Sequence, residues 1–252
     1  MASAHTYEPA RRGDADIGSI ARLIGDPRRA EILLALADGR ARPASELATA
    51  AGLSRSAATS HLNQLADGGL IRVEQVGRFR LHSLAGPDVA NMVEALAALA
   101  PTRSITSLSA STAAAALREA RTCYDHLAGR LGVALTDALR DNGAVVFADP
   151  LAGSAACGSS AAVRLGPNAE HVFSALEVDL ISITLTPTRR PQIRLCLDWS
   201  ERRFHLAGAL GAAIADTCLQ HQWLVRRTGR ALHLTDTGRR HLSTVLPRLR
   251  IR

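Results

Sequence analysis

The chain has 252 residues, which is enough for two domains or for one large domain with a sizeable core. Hydrophobic residues make up 47% and charged residues 21%, the balance of a globular protein, and polar residues, Gly or Pro interrupt every apolar run before it could span a membrane. Residues 1–16 lack the apolar core of a signal peptide, so we expect a cytoplasmic protein without a membrane partner.

The net charge is +7, and all 30 basic residues are arginines. Residues 1–100 hold 11 Arg and 11 acidic residues, whereas residues 101–252 hold 19 Arg and 12 acidic residues. A basic chain is compatible with nucleic-acid binding, but this distribution does not locate a binding surface. The chain has four cysteines, Cys123, Cys157, Cys196 and Cys218. In a cytosolic protein we expect them to be reduced thiols, metal ligands or redox sensors rather than structural disulfides.

Four helices are predicted near the start of the chain, over residues 14–25, 27–36, 44–50 and 55–67. Pro27 suits the first turn of the second helix, Ser54 can cap the fourth, and Gly68 and Gly69 end it. The buried side of the fourth helix is predicted to consist of Ala58, His61 or Leu62, and Leu65.

Two strands follow the fourth helix, over residues 70–76 and 79–84. The dipeptide Gly77-Arg78 between them is a short turn signal, so the strands are predicted to form a hairpin. Helices followed by a hairpin are the order of a winged helix-turn-helix, in which the second helix of the pair enters the major groove of DNA.

Residues 19–84 resemble the ArsR family of repressors. Residues 53–70 (LSRSAATSHLNQLADGGL) are similar to the recognition helix of that family and its exit into the wing, and residues 25–29 (GDPRR) are similar to the start of its second helix. The resemblance implies a homodimer that binds a palindromic double-stranded DNA operator as a repressor.

The fourth helix is also suited to DNA by its chemistry. Arg55 is the only charged residue between Leu47 and Ala66, so no carboxylate of this helix would face phosphates. His61 could donate to a phosphate or complete the packing of the helix, and a winged helix could instead serve protein interaction. The candidate DNA-binding residues are Ser54, Arg55, Ser56, Thr59, Ser60, His61, Asn63 and Gln64 on the helix, and Arg78 and Arg80 on the wing.

A fifth helix is predicted over residues 87–100, and the resemblance implies that it pairs two subunits. Its apolar side is typical of a core or of a dimer seam and comprises Val89, Met92, Val93, Leu96 and Leu99. Many ArsR-type proteins bind metals through cysteines on the third helix or through acidic and histidine ligands on the dimer helix. Here the third helix has no cysteine and the dimer helix no histidine, and Asp88 and Glu94 alone are poor ligands for soft metals.

The second half contains an internal repeat at an offset of 79 residues. Residues 126–137 (HLAGRLGVALTD) and 205–216 (HLAGALGAAIAD) are identical at eight of twelve positions. We predict a helix from Thr112 to about Gly132, close helix–helix packing through the small residues of the repeat, and strands near residues 144–147 and 223–226. The fold is therefore predicted to be mainly α with small β-hairpin wings (α+β). Its predicted parts are an N-terminal winged helix-turn-helix at residues 14–100, a linker at 101–111 and a C-terminal domain of two degenerate winged-helix-like repeats at 112–252.

An effector or redox site is predicted in the second half, at two segments that contain cysteine and histidine residues. On a helix, Cys123 and His126 would share a face, and with Cys196 and His205 they form a plausible four-ligand set for an effector or a redox change. The alternative is that the cysteines are packed in the core. The identity of any metal stays open.

The sequence favours a DNA-binding regulator whose second half senses a small molecule, a metal or a redox state. Residues 202–252 hold ten Arg and two acidic residues, which could touch flanking phosphates or form a solvated face. A regulator without an effector, or a winged helix controlling a fused enzyme, stays open as an alternative. The sequence has no Gly-rich phosphate loop, G-x-S-x-G elbow or His-Glu-x-x-His motif, so we predict neither an enzyme nor a cofactor.

Overall fold

The computed structural model describes residues 14–101, 107–147, 163–185 and 190–250. Its first part is a winged helix-turn-helix, which confirms the predicted fold of this region. The elements are α1 (Ile17–Ile24), α2 (Pro27–Leu36), β1 (Arg42–Pro43), α3 (Ala44–Ala51), α4 (Arg55–Asp67), β2 (Ile71–Val76), β3 (Phe79–Leu84) and α5 (Pro87–Leu99).

Side-chain caps set the starts of these helices. The Asp26 carboxylate accepts hydrogen bonds from the backbone N–H groups of Arg28 and Arg29, and the Ser54 hydroxyl accepts one from Ala57. Gly52, with a φ of 62°, ends α3 in the left-handed conformation that glycine adopts without strain. The turn between α3 and α4 is thereby fixed by two local signals.

The wing is an antiparallel sheet in the order β1-β3-β2, closed by a two-residue turn between Val76 and Phe79. Leu62 and Leu65 of α4 pack with Ile32 and Leu36 of α2 in the core of this unit. His61 is only half-buried, so Leu62 is the residue that completes the buried side of α4.

The second half repeats one order of elements twice: helix, hairpin, helix, hairpin, helix. This confirms two degenerate winged-helix-like copies, and both contribute to one hydrophobic core. The first copy comprises α6 (Leu108–Glu119), β4 (Arg121–Cys123), β5 (His126–Ala128), α7 (Gly129–Asp141), β6 (Val145–Phe147), β7 (Val163–Leu165) and α8 (Ala169–Ala175). The second comprises α9 (Leu180–Leu185), β8 (Arg194–Leu197), β9 (Phe204–Ala207), α10 (Gly208–Gln220), β10 (Leu224–Arg226), β11 (Leu232–Leu234) and α11 (Asp236–Val245).

The predicted helix from Thr112 to Gly132 is wrong. Helix α6 begins at Leu108, inside the predicted linker, because the Ser107 hydroxyl caps it through the Ala110 N–H. It ends at Glu119, and the hairpin β4–β5 follows with all six strand residues buried. Burial on both faces favours paired strands over a surface helix with a single apolar stripe, so tertiary packing overrides the local helical pattern.

The predicted close approach of the two repeat helices is also wrong. A Cβ atom at Gly132 of α7 would lie 2.5 Å from the Leu127 carbonyl oxygen and 3.7 Å from Cβ of His205. The equivalent atom at Gly211 of α10 would lie 2.5 Å from the Leu206 carbonyl oxygen and 3.3 Å from Cβ of His126. Gly132 and Gly211 therefore let each helix lie tightly on the strand that precedes it and beside the histidine of the other copy, rather than against the other helix.

We predict that Gly211→Val destabilises the protein by about 1–3 kcal/mol, because the added side chain meets backbone that cannot move aside. Urea unfolding followed by circular dichroism measures this loss. Gly86→Val is the control, since a Cβ at Gly86 meets nothing within 4 Å. Equal stability of the two variants would show that Gly211 is not tightly packed against the Leu206 carbonyl.

Candidate functional site

The outer face of α4 carries the polar side chains that the sequence predicts for DNA contact. Ala58, Leu62 and Leu65 are turned into the core, which leaves the opposite face in solvent. The exposed residues are Ser54, Arg55, Ser56, Thr59, Ser60, Asn63 and Gln64, together with Arg78 and Arg80 of the wing. No acidic side chain of α4 lies on this face before Asp67 at the end of the helix.

Two of the candidate DNA-binding residues contact side chains at the start of α2. The Gln64 side-chain carbonyl accepts a hydrogen bond of 2.6 Å from the Arg29 guanidinium, whose Nε donates to the Leu23 carbonyl. Nδ1 of half-buried His61 lies 3.9 Å from a carboxylate oxygen of Asp26. Both contacts tie α4 to the start of α2, which favours the packing role for His61.

The four cysteine and histidine residues singled out in the second half come together in the structure. Cys123 lies opposite His126 in the hairpin β4–β5, and Cys196 lies opposite His205 in the hairpin β8–β9. The two Sγ atoms are 3.9 Å apart and the two Nε2 atoms are 3.1 Å apart. One ligand atom from each residue lies within 4.8 Å of all the others, and all four residues are buried.

Strands rather than a helix create this cluster. His126 and His205 occupy the same position in the two copies of the repeat, and β5 packs against β9. Each hairpin then places a cysteine beside its histidine. The prediction that Cys123 and His126 share a helical face is wrong, because the segment is extended and their proximity comes from cross-strand pairing.

Each histidine of the cluster has a carboxylate behind it. Nδ1 of His126 lies 3.3 Å from Oδ1 of Asp125, and Nδ1 of His205 lies 3.3 Å from Oδ2 of Asp198. Each carboxylate in turn contacts an arginine: Arg190 with Asp125 and Arg121 with Asp198. The two copies thus build two similar rows of histidine, aspartate and arginine around the cluster.

The electrostatics of the cluster follow from its burial and from these partners. The contact with Cys196, followed by burial, raises the pKa of the Cys123 thiol well above its usual range. Burial alone would lower the pKa of His205, but Asp198 and Cys123 outweigh it and raise that pKa to about 9. Burial would raise the pKa of Asp198, yet His205 and Arg121 hold it far below its usual value.

Arg121 connects the cluster with the DNA-binding unit. Its side chain is fully buried, with Nη2 lying 3.0 Å from Oδ2 of Asp198 and 3.8 Å from Oε2 of Glu94 on α5. Arg230, in the turn of the hairpin β10–β11 (the second wing), also contacts Glu94. From the sequence, Glu94 can be recognised only as a poor metal ligand, and no pattern singles out Arg121 or Asp198.

Two further contacts join the cluster hairpins to the first unit. Arg194, on the strand that carries Cys196, donates to the Asn91 side chain of α5 at 2.7 Å. The N–H of Tyr124, in the turn between Cys123 and His126, donates to the Ala37 carbonyl after α2 at 2.7 Å. Both hairpins therefore rest against the DNA-binding unit.

The remaining candidates of the second half have other surroundings. Cys218 is buried in the hydrophobic core, and Cys157 lies outside the described residues. Arg226 and Arg227 are exposed on the second wing, whereas Arg230 is buried against Glu94 and does not belong to a solvated or phosphate-facing surface.

Comparison with known proteins agrees with this architecture. A family model described as a helix-turn-helix domain matches residues 24–74. The HTH-type transcriptional regulator YdfF of Bacillus subtilis (strain 168) is 40% identical over 225 residues, which are 89% of this chain and 94% of that protein. The chain belongs to the HTH-type transcriptional regulators. It is accordingly a DNA-binding regulator and not an enzyme.

Solved structures of other proteins align with about a third of the regulator. HlyU from Vibrio cholerae N16961 is 28% identical, with a TM-score of 0.31, over 32% of this chain and 88% of that chain. The homodimeric winged helix-turn-helix DNA-binding domain of Mb0332 from Mycobacterium bovis, a possible ArsR-family regulator, is 27% identical, with a TM-score of 0.31, over 35% of this chain and 89% of that chain. Among the described residues of the regulator, no helix is long and apolar enough to cross a membrane.

We predict that Arg121→Met destabilises the regulator by about 3–5 kcal/mol, because it leaves the buried carboxylates of Asp198 and Glu94 without their shared cation. The control is Arg130→Met, which removes a half-exposed ion pair with Glu119 and should cost about 1 kcal/mol or less. Chemical unfolding measures both, and similar losses would contradict a special role for Arg121.

Proposed function

We propose that the regulator is a homodimeric repressor that reads a double-stranded operator with α4 and the wing. The proposal places residues 14–100 in DNA binding and dimerisation and residues 112–252 in regulation. It is supported by the exposed, carboxylate-free face of α4 and by the exposed Arg78 and Arg80 of the wing. Short hydroxyl and amide side chains suit base edges and phosphates, and wing arginines suit the backbone or the minor groove.

A second copy of the chain would cover the apolar side chains that the single chain leaves in solvent. Ile17 on α1 is 74% exposed, Leu99 on α5 is 82% exposed and Leu108 on α6 is 90% exposed. Exposed large apolar residues that form a patch are typical of protein interfaces. A two-fold dimer through these helices would present two recognition helices to two half-sites of a palindrome.

The second half is proposed to sense a small molecule, a metal or a redox state at Cys123, His126, Cys196 and His205. The observation that carries this proposal is the row of buried contacts from His205 through Asp198 and Arg121 to Glu94 on α5. An effector that changes the cluster changes the partners of Asp198, and through Arg121 those of α5. It then favours one of two arrangements of the DNA-binding units, by as much as its affinity differs between them.

We predict that Ser60→Glu abolishes specific operator binding, because it places a carboxylate among DNA phosphates. Fluorescence anisotropy with the DNA upstream of the regulator's own coding sequence, titrated with salt, measures the affinity. Ser174→Glu, on an exposed position of α8, is the matched control and should bind like the wild type. Full affinity of Ser60→Glu would show that α4 is not the recognition helix.

We predict that Glu94→Gln binds the operator but loses the response to effector, because a neutral amide weakens the contact with Arg121 and Arg230. In the wild type, zinc ions or hydrogen peroxide should weaken operator binding by about 5–150-fold, the usual range of allosteric coupling. Glu170→Gln, on exposed α8, is the control. A full response of Glu94→Gln would exclude this route.

A further inference from the structure

The cysteine–histidine cluster has the dimensions of a tetrahedral metal site. Metal–sulfur bonds of about 2.3 Å and metal–nitrogen bonds of about 2.0–2.1 Å place the two sulfur atoms of a tetrahedron about 3.8 Å apart and its two nitrogen atoms about 3.3 Å apart. The observed separations are 3.9 Å for the Sγ atoms of Cys123 and Cys196 and 3.1 Å for the Nε2 atoms of His126 and His205. A sulfur–nitrogen edge of the same tetrahedron is about 3.6 Å, whereas the four ligand atoms lie within 4.8 Å of one another, so an ion at the centre would draw the side chains together by up to about 1 Å.

The histidines are oriented as metal ligands are. A carboxylate faces Nδ1 of His126 and another faces Nδ1 of His205, each at 3.3 Å, which favours the proton on that nitrogen. The two Nε2 atoms then face one another across 3.1 Å with one proton shared between them, and a metal ion would replace that proton. Carboxylate groups behind metal-bound histidines are a common outer layer of zinc sites, and here both histidines have one.

Packing of the cysteines in the core explains the positions of the two thiols but not the orientation of the two histidines. Cys123 and Cys196 pack with Ala128 and Ala207 in a small buried cluster, as reduced cysteines often do. Apolar packing gives no reason for two fully buried imidazoles to direct nitrogens at each other and at two thiols. The cysteines are free, since 3.9 Å is far beyond the disulfide bond length of about 2.0 Å.

We propose that Cys123, His126, Cys196 and His205 bind one divalent metal ion of the zinc class in a closed tetrahedral site between the two copies of the repeat. Two S–H bonds break, two metal–sulfur and two metal–nitrogen bonds form, and the thiol protons, with any proton held between the imidazoles, pass to solvent. No electron is transferred. The S₂N₂ ligand set suits zinc over harder ions such as magnesium or calcium, and four protein ligands leave no open position for catalysis.

The site is proposed as the effector site of the proposed function, but metal binding can be measured without DNA. The full-length protein, freed of metal by a chelator under reducing conditions, is titrated with Co²⁺ and followed by visible absorption. We expect one Co²⁺ per chain, tetrahedral d–d bands with sulfur-to-cobalt charge transfer, and displacement of the cobalt by Zn²⁺.

Variants distinguish the metal ligands from the carboxylates behind the histidines. Cys196→Ser should lose about half of the charge-transfer absorption, because only Cys123 remains as a thiolate, and most of the affinity. Cys218→Ser, in the hydrophobic core, should bind like the wild type. Asp125→Asn, behind His126, should keep the tetrahedral spectrum with an affinity about 10–100-fold lower. Thermal unfolding by circular dichroism verifies that each variant is folded.

Three results would overturn the metal site. They are an octahedral cobalt spectrum, a stoichiometry well below one per chain, or equal affinity of wild type and folded Cys196→Ser. Failure of the proposed function appears elsewhere, as absent operator binding by a wild type that takes up cobalt normally. Ser60→Glu should bind cobalt like the wild type, which keeps the two outcomes apart.

Discussion

The buried ion pair between Arg121 and Asp198 is the contact on which the second half of the regulator depends. Neither side chain reaches solvent, so each charge requires the other to offset its loss of hydration. Asp198 also accepts hydrogen bonds from the backbone N–H groups of Gly129 and Ser200 and lies beside His205. One carboxylate thereby holds the start of α7, the loop after β8 and one histidine of the cluster. Because Arg121 also faces Glu94, this network reaches the helix that follows the wing.

Duplication explains how a chain of small secondary-structure elements encloses such a site. Each copy supplies one hairpin with a cysteine opposite a histidine, and Gly132 and Gly211 let the helix of one copy approach the histidine strand of the other. Neither copy contains the cluster alone, because half of its ligands come from the other copy. The cluster therefore depends on the packing of the two copies. Because the two hairpins contact α5 and Ala37, a change in this packing also changes contacts of the DNA-binding unit. Such contacts make coupling physically plausible in a way that distance alone does not.

The first unit could be predicted almost to the residue because its signals are local. Each helix start and the hairpin turn are set by residues next to them, namely Asp26 with Pro27, Ser54, and Gly77-Arg78. The apolar periodicity predicts the same helices and strands. The second half could be predicted in its repeat, in its cysteine and histidine set and in the strands near residues 144–147 and 223–226, which the structure confirms as β6 and β10. The hairpin β4–β5 was not predicted, because its extended conformation depends on burial by residues that are distant in sequence. Glu94 and Asp198 were missed as partners of Arg121 because sequence does not reveal which buried charges meet.

The most direct test of this account is the affinity of the regulator for Zn²⁺, measured with a competing chromophoric chelator in the absence and in the presence of saturating operator DNA. Thermodynamic linkage requires that DNA change zinc affinity by the same factor by which zinc changes DNA affinity. The account predicts that zinc binds the DNA complex at least about 5-fold more weakly than it binds the free protein. Equal zinc affinity in the two states, with specific operator binding intact, would contradict the coupling between the cluster and the recognition helix.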